Sequence, residues 1–154
     1  VGTDLDGETL NELQKRFSQD TVAFLPADAS ALPFPDDSFD VVFHNGLWVL
    51  FEDDAFIHRL MVEQARVARK YAVIMVHNAL NPTLVKQFRK GAETDELYDI
   101  RFFTPEGVQA LVESSGIPYS VPQAASRRFT SMRRMVPSRL FVSCPCPSGF
   151  PRPP

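Results

Sequence analysis

A chain of 154 residues with 44% hydrophobic and 23% charged side chains has the composition of one globular domain, long enough to bury about two thirds of its unfolded surface. Its net charge of −3 gives no general attraction to nucleic acid or to an anionic membrane, and no apolar run approaches the roughly 20 residues of a membrane span. The cysteines, Cys144 and Cys146, are too few for a disulfide framework or a four-ligand zinc site, so no metal is expected and a reducing, cytoplasmic setting is. No basic-then-apolar leader follows Val1, so no signal peptide is expected either.

Val1–Asp6 reads as the tail of a strand ending in an acid. Leu10, Leu13 and Phe17 then recur at helical spacing, with Asn11, Glu12, Lys15 and Arg16 opposite, which predicts an amphipathic helix over Glu8–Ser18. Val22–Leu25 is a short apolar run of the kind that forms a buried strand. Leu32-Pro33-Phe34-Pro35-Asp36-Asp37 continues neither strand nor helix, because each proline lacks a donor and restrains its predecessor. Asp40–Phe43 resumes an apolar, β-branched run suited to a parallel sheet covered on both faces.

Glu52-Asp53-Asp54 places acids at the start of a helix running to about Arg69, with Arg66, Arg69 and Lys70 suiting its other end. Tyr71–Val76 is the clearest strand in the chain. Asn81-Pro82 and Thr104-Pro105 each pair a cap with a first-turn proline; they predict helices to about Lys90 and Ser115, the second stopped by Gly116. Residues 91–99 read as irregular, Ile117–Val121 and Arg139–Ser143 as the last strands, and 144–154 as a disordered proline-rich tail. Strands alternating with helices predict an α/β domain over 1–143, built on a doubly wound sheet. The glycines are scattered, and no G-x-G cluster brings backbone amides close to a ligand.

The stretch from Asp28 to Val42 resembles the pattern D-A-x-x-L-P-F-x-D-x-S-F-D-x-V of small-molecule class I S-adenosylmethionine-dependent methyltransferases, where it spans the loop after the third strand and the start of the fourth. More loosely, the resemblance extends from Val1 to about Val142. It implies a mostly parallel, Rossmann-like sheet of strand order 3-2-1-4-5-7-6, with the last strand antiparallel. On that alignment Val1 falls at the tip of the second strand, and the first strand and its glycine-rich turn have no counterpart. The expectation is therefore an N-terminally truncated domain.

The resemblance assigns Asp4, followed by Leu5, to the ribose hydroxyls of S-adenosylmethionine; nearby Asp6 is accounted for as a helix cap. Asp28 and the Ala29 backbone are assigned to the adenine, a carboxylate accepting the exocyclic amine and an N–H serving the ring nitrogen. Leu32 and Phe34 either wall the purine or pack the core. His44 and Asn45 follow the fourth strand, where the family holds the methionine moiety. Trp48 either offers its π face to a sulfonium or packs the core with Leu47, Leu50 and Phe51. Tyr98 and Arg101, before the penultimate helix, are acceptor-side candidates. His58 and His77 have no partners that would make them ligands and read as structural. Arg127, Arg128, Arg133, Arg134 and Arg139 either meet an acidic partner or form a solvated connection.

The function implied is methyl transfer from S-adenosylmethionine to a small-molecule acceptor in the full-length protein, with residues 1–154 inactive alone. No catalytic residue is assigned, since displacement from a sulfonium can rest on orientation and exclusion of water. A short-chain dehydrogenase would need a Tyr-x-x-x-Lys pair, whereas Tyr71, Tyr98 and Tyr119 are followed four residues on by Met75, Phe102 and Gln123. A non-catalytic Rossmann-like binding or regulatory module is the remaining alternative.

Overall fold

The computed structural model describes residues 1–17, 21–120 and 140–143. The expected tail, with both cysteines, and the arginine cluster at 127–139 lie outside the described residues. Strands and helices alternate as β1 (Gly2–Asp4), α1 (Gly7–Arg16), β2 (Phe24–Pro26), β3 (Phe39–Asn45), α2 (Asp54–Val67), β4 (Ala68–Met75), α3 (Pro82–Ala92), α4 (Pro105–Ser114), β5 (Tyr119–Ser120) and β6 (Leu140–Ser143). Single 3-10 turns occur at Trp48–Leu50 and Glu96–Tyr98.

Local chemistry sets most of these boundaries. Asp6 caps α1 by accepting from the Glu8 and Thr9 amides, and Asn81 and Thr104 cap α3 and α4 by accepting from Leu84 and Gly107. Helix α2 ends at Val67, earlier than expected, and Arg69 and Lys70 belong to β4 instead. The reason lies on the neighbouring strand, where Asp40 of β3 accepts Arg69 at 3.0 Å and Lys70 at 2.9 Å.

The strands form two sheets. β1 pairs with β2 in parallel, from Gly2 opposite Phe24 to Asp4 opposite Pro26. The others lie in the order β3-β4-β6-β5, every pairing parallel. This corrects the expectation of an antiparallel last strand, since β6 runs with both its neighbours. Nothing in Leu140–Ser143 itself specifies direction, and the span 121–139 exceeds the dozen or so residues that a parallel crossover needs. The orders β2-β1 and β3-β4-β6-β5 otherwise correspond to 3-2 and 4-5-7-6 of the expected sheet. Among the described residues no strand stands between β1 and β3.

The core sits on one face of the larger sheet. Ile57, Leu60, Met61, Gln64 and Ala65 form the buried stripe of α2, and Ala72, Ile74 and Val76 alternate inward along β4 and just beyond it. Val108 and Val112 of α4 close this cluster, in which each fully buried Leu or Ile contributes about 1.5–3 kcal/mol. The opposite face is open at β3, where Val41 and Phe43 are 48% and 71% exposed. The expectation of cover on both faces thus fails at this strand, whose outer edge is unpaired among the described residues.

The proline turn is fixed from a distance. Arg66 of α2 donates to the Phe34 carbonyl at 2.8 Å, the Leu32 carbonyl at 3.1 Å and Asp36 at 2.7 Å, and grips Glu63 at 2.6 Å. Glu63 in turn accepts the Leu32 N–H at 2.7 Å. The loop that begins at Asp28 is therefore clamped to the helix packed on the sheet.

Candidate functional site

Asp4 is the last residue of β1, and Asp28 lies two residues beyond its parallel partner β2. Ligands of open parallel sheets bind beyond such carboxyl ends. Each acid accepts the backbone N–H two residues ahead on one oxygen, Asp6 donating to Asp4 Oδ1 at 2.9 Å and Ser30 to Asp28 Oδ1 at 2.8 Å. The Ser30 hydroxyl donates to the same Asp28 oxygen at 2.8 Å. In both carboxylates Oδ2 is left without a partner among the described residues.

The Ser30 amide, and then its hydroxyl, hold the Asp28 carboxyl below the usual carboxylate range, so it is ionised at neutral pH. Asp6 is fully engaged instead. Its Oδ1 takes the Glu8 amide, and its Oδ2 takes both the amide and the hydroxyl of Thr9. Leu5 stands in solvent, while Ala29 packs against the core cluster.

At the end of β3, Asn45 presents an exposed side chain with no hydrogen-bond partner among the described residues. Gly46 follows with φ +82°, a conformation that favours glycine, and its N–H reaches the Met75 carbonyl at 2.9 Å. His44 turns the other way, into the protein. Its Nδ1 accepts the Leu47 N–H at 3.3 Å, so the proton of the neutral ring sits on Nε2, which is sealed from solvent without a partner. Burial pushes this imidazole down to about 4. It is a neutral donor at physiological pH, with no basicity to offer a reaction.

Trp48 is fully buried, 6.4 Å from Phe103 between ring centroids, and presents no face to a ligand. Of its two readings the structure supports the core one. Arg101 is likewise engaged: it pairs with Asp54 at 2.6 Å, donates to the Glu52 carbonyl at 3.1 Å and lies over the Phe103 ring. Tyr98 is 44% exposed and packs at a tilt against Phe88 at 5.6 Å. Gly91 makes that approach possible, since a Cβ there would meet the Tyr98 ring at 2.6 Å. Phe88 and Phe102 both pack against His77, which sequence reasoning left as structural. The signal that points to His77 is its place two residues past β4, at the same kind of strand end as Asp4 and Asp28.

Residues 1–76 match the family model of the methyltransferase domain, a stretch that holds β1 to β4 together with Asp4, Asp28 and Asn45. Over that stretch, just under half of its length, the chain is similar to the methyltransferase domain family. Solved structures agree with the chain in fold. A SAM-dependent methyltransferase from Thermotoga maritima, described as a possible histamine N-methyltransferase, is 24% identical with a TM-score of 0.57, over 75% of this chain and 54% of its own. The YcgJ protein of Bacillus subtilis is 24% identical with a TM-score of 0.54, over 74% of this chain and 50% of its own. The chain thus spans about half the length of these structures. No curated protein sequence matches it.

Proposed function

We propose that the protein transfers a methyl group from S-adenosylmethionine to a small-molecule acceptor. The observation that supports this most directly is the pair Asp4 and Asp28. Two acids at adjacent strand ends each have one oxygen fixed by a local N–H and the other free. That arrangement fits a nucleoside, with a ribose diol on one carboxylate and an exocyclic amine on the other. Bound there, the cofactor supplies an electrophilic methyl on a good leaving group.

The protein's own part is then to bind and orient. Asp4 takes the ribose with Leu5 beside it, Asp28 and the Ala29 amide take the adenine, and Asn45 lies at the methionine end. His44 serves this end through its backbone and through the loop it braces at Leu47. Asn45 offers both a donor and an acceptor without competing partners among the described residues. No helix among the described residues is long and apolar enough to cross a membrane. A cytoplasmic setting, and the absence of a nucleic-acid or membrane partner, belong to this proposal.

Calorimetric titration of the full-length protein with S-adenosylhomocysteine tests the reading, followed by methyl-transfer assays on small amines and hydroxyl compounds. Histamine, which appears in the description of the Thermotoga protein, is a suitable first amine. Saturable binding with 1:1 stoichiometry and turnover of one acceptor class are expected. Absence of binding would favour a non-catalytic module.

A further inference from the structure

We infer that His77 is the residue that receives the acceptor, taking the hydrogen bond and then the proton of its nucleophilic N–H or O–H group. This rests on the methyltransferase reading above. His77 follows β4 by two residues, and its backbone carbonyl is anchored by the Phe103 N–H at 2.9 Å. Its ring packs in a cluster with two phenyl rings, Phe88 at 4.7 Å and Phe102 at 6.3 Å, which also pack on each other at 5.9 Å. The ring is therefore held in place by apolar packing, while neither nitrogen has a protein partner among the described residues. A polar group so oriented and left unpaired is available to a ligand or to water.

The position is at the reacting end of the site. Cε1 of His77 lies 3.7 Å from where a Cβ on Gly46 would stand, and Gly46 is the residue after Asn45. His77 thus borders the loop at the methionine end, with Tyr98 one ring further out against Phe88. Partial burial lowers its proton affinity, so the imidazole is neutral and able to accept at physiological pH. His44 of β3 cannot share this role, because its free nitrogen is sealed and carries the proton.

The step balances without another reactant. A lone pair of the acceptor atom forms the bond to the methyl carbon, and the methyl–sulfur bonding pair stays on sulfur as a thioether. The acceptor's proton passes to His77, so the positive charge lost at sulfur reappears on imidazolium, which later releases the proton to water.

The experiment follows the ring resonances of His77 by NMR in the full-length protein, saturated in turn with S-adenosylmethionine and with S-adenosylhomocysteine. His77→Gln identifies the signal, with His77→Phe as a second variant that preserves the apolar packing. The two ligands differ by one methyl group and one positive charge. If that charge lies beside His77, its titration midpoint is lower with S-adenosylmethionine by about 0.5–1 pH unit. The ionisable groups on the surrounding elements, His44, Arg89, Lys90, Tyr98 and Arg101, are common to both samples and cancel in the difference. Tight binding of both ligands with identical His77 midpoints would overturn the inference and leave the parent reading standing. Absence of binding by either ligand would remove both.

Discussion

Asp28 receives two hydrogen bonds from Ser30, the backbone N–H and the hydroxyl, each at 2.8 Å and both on the same oxygen. The carboxylate is thereby fixed in orientation and in charge, with its other oxygen turned free of the protein. Replacing Asp28 with Ala removes that acceptor while leaving the helices and the α2 clamp on the proline turn intact. We expect S-adenosylhomocysteine to bind the full-length Asp28→Ala protein more weakly by about 1–3 kcal/mol, with an unchanged far-ultraviolet spectrum. An unaltered Kd in calorimetry would take Asp28 out of the site.

Asp4 and Asp6 separate binding from stability. Asp6 holds three hydrogen bonds at the start of α1, so Asp6→Ala should cost about 0.5–2 kcal/mol in denaturant unfolding with little effect on ligand affinity once folded. Asp4→Asn keeps the shape of the side chain and reduces its strength as an acceptor. It should weaken the cofactor and leave the unfolding midpoint near that of the parent. The reverse pattern, with normal binding by Asp4→Asn and lost binding by folded Asp6→Asn, would exchange the roles of the two acids.

His44 makes stability depend on pH in a defined direction. Its folded proton affinity corresponds to about 4, against 6.5 when unfolded, so between these values the unfolded chain binds more protons. The contribution of the neutral, buried ring is complete above pH 6.5 and is lost as pH falls toward 4. At full extent it is on the order of 3 kcal/mol. Urea melts at pH 7.5 and pH 4.5 should therefore differ by more in the parent than in His44→Phe. Equal pH slopes in the two proteins would show that His44 is not held neutral by burial.

The edge of β3, unpaired among the described residues, bears on the behaviour of residues 1–154 by themselves. Val41 and Phe43 are exposed there, and an open, apolar strand edge favours association. We expect a polypeptide of residues 1–154 to bind S-adenosylhomocysteine poorly and to self-associate in sedimentation. A version extended ahead of Val1 by a strand, a glycine turn and a helix should bind and sediment as a smaller species. Equal micromolar affinity of the two would show that Asp4, Asp28 and Asn45 suffice without a strand beside β3.

The features legible in the sequence are those decided within a few residues of chain. Asp6, Asn81 and Thr104 act on amides two or three positions ahead, and so announce their helices without knowledge of the rest. Asp4 and Asp28 are legible for the same reason, being acids at the ends of short apolar runs. The stripe of α2 is set by a period of 3.6 residues, and its buried positions follow from that period. Only the tertiary structure decided the remainder. Arg66, which suits a helix terminus, is claimed by backbone carbonyls 32 and 34 positions away, and Arg69 and Lys70 are drawn into β4 opposite Asp40. The inward turn of His44, the burial of Trp48 and the packing of the His77 ring against Phe88 all depend on which distant elements lie beside them. The parallel direction of β6 likewise follows from its two neighbours. Local hydrogen bonding is written in adjacent residues, whereas burial and pairing belong to surfaces that meet only after the chain has folded.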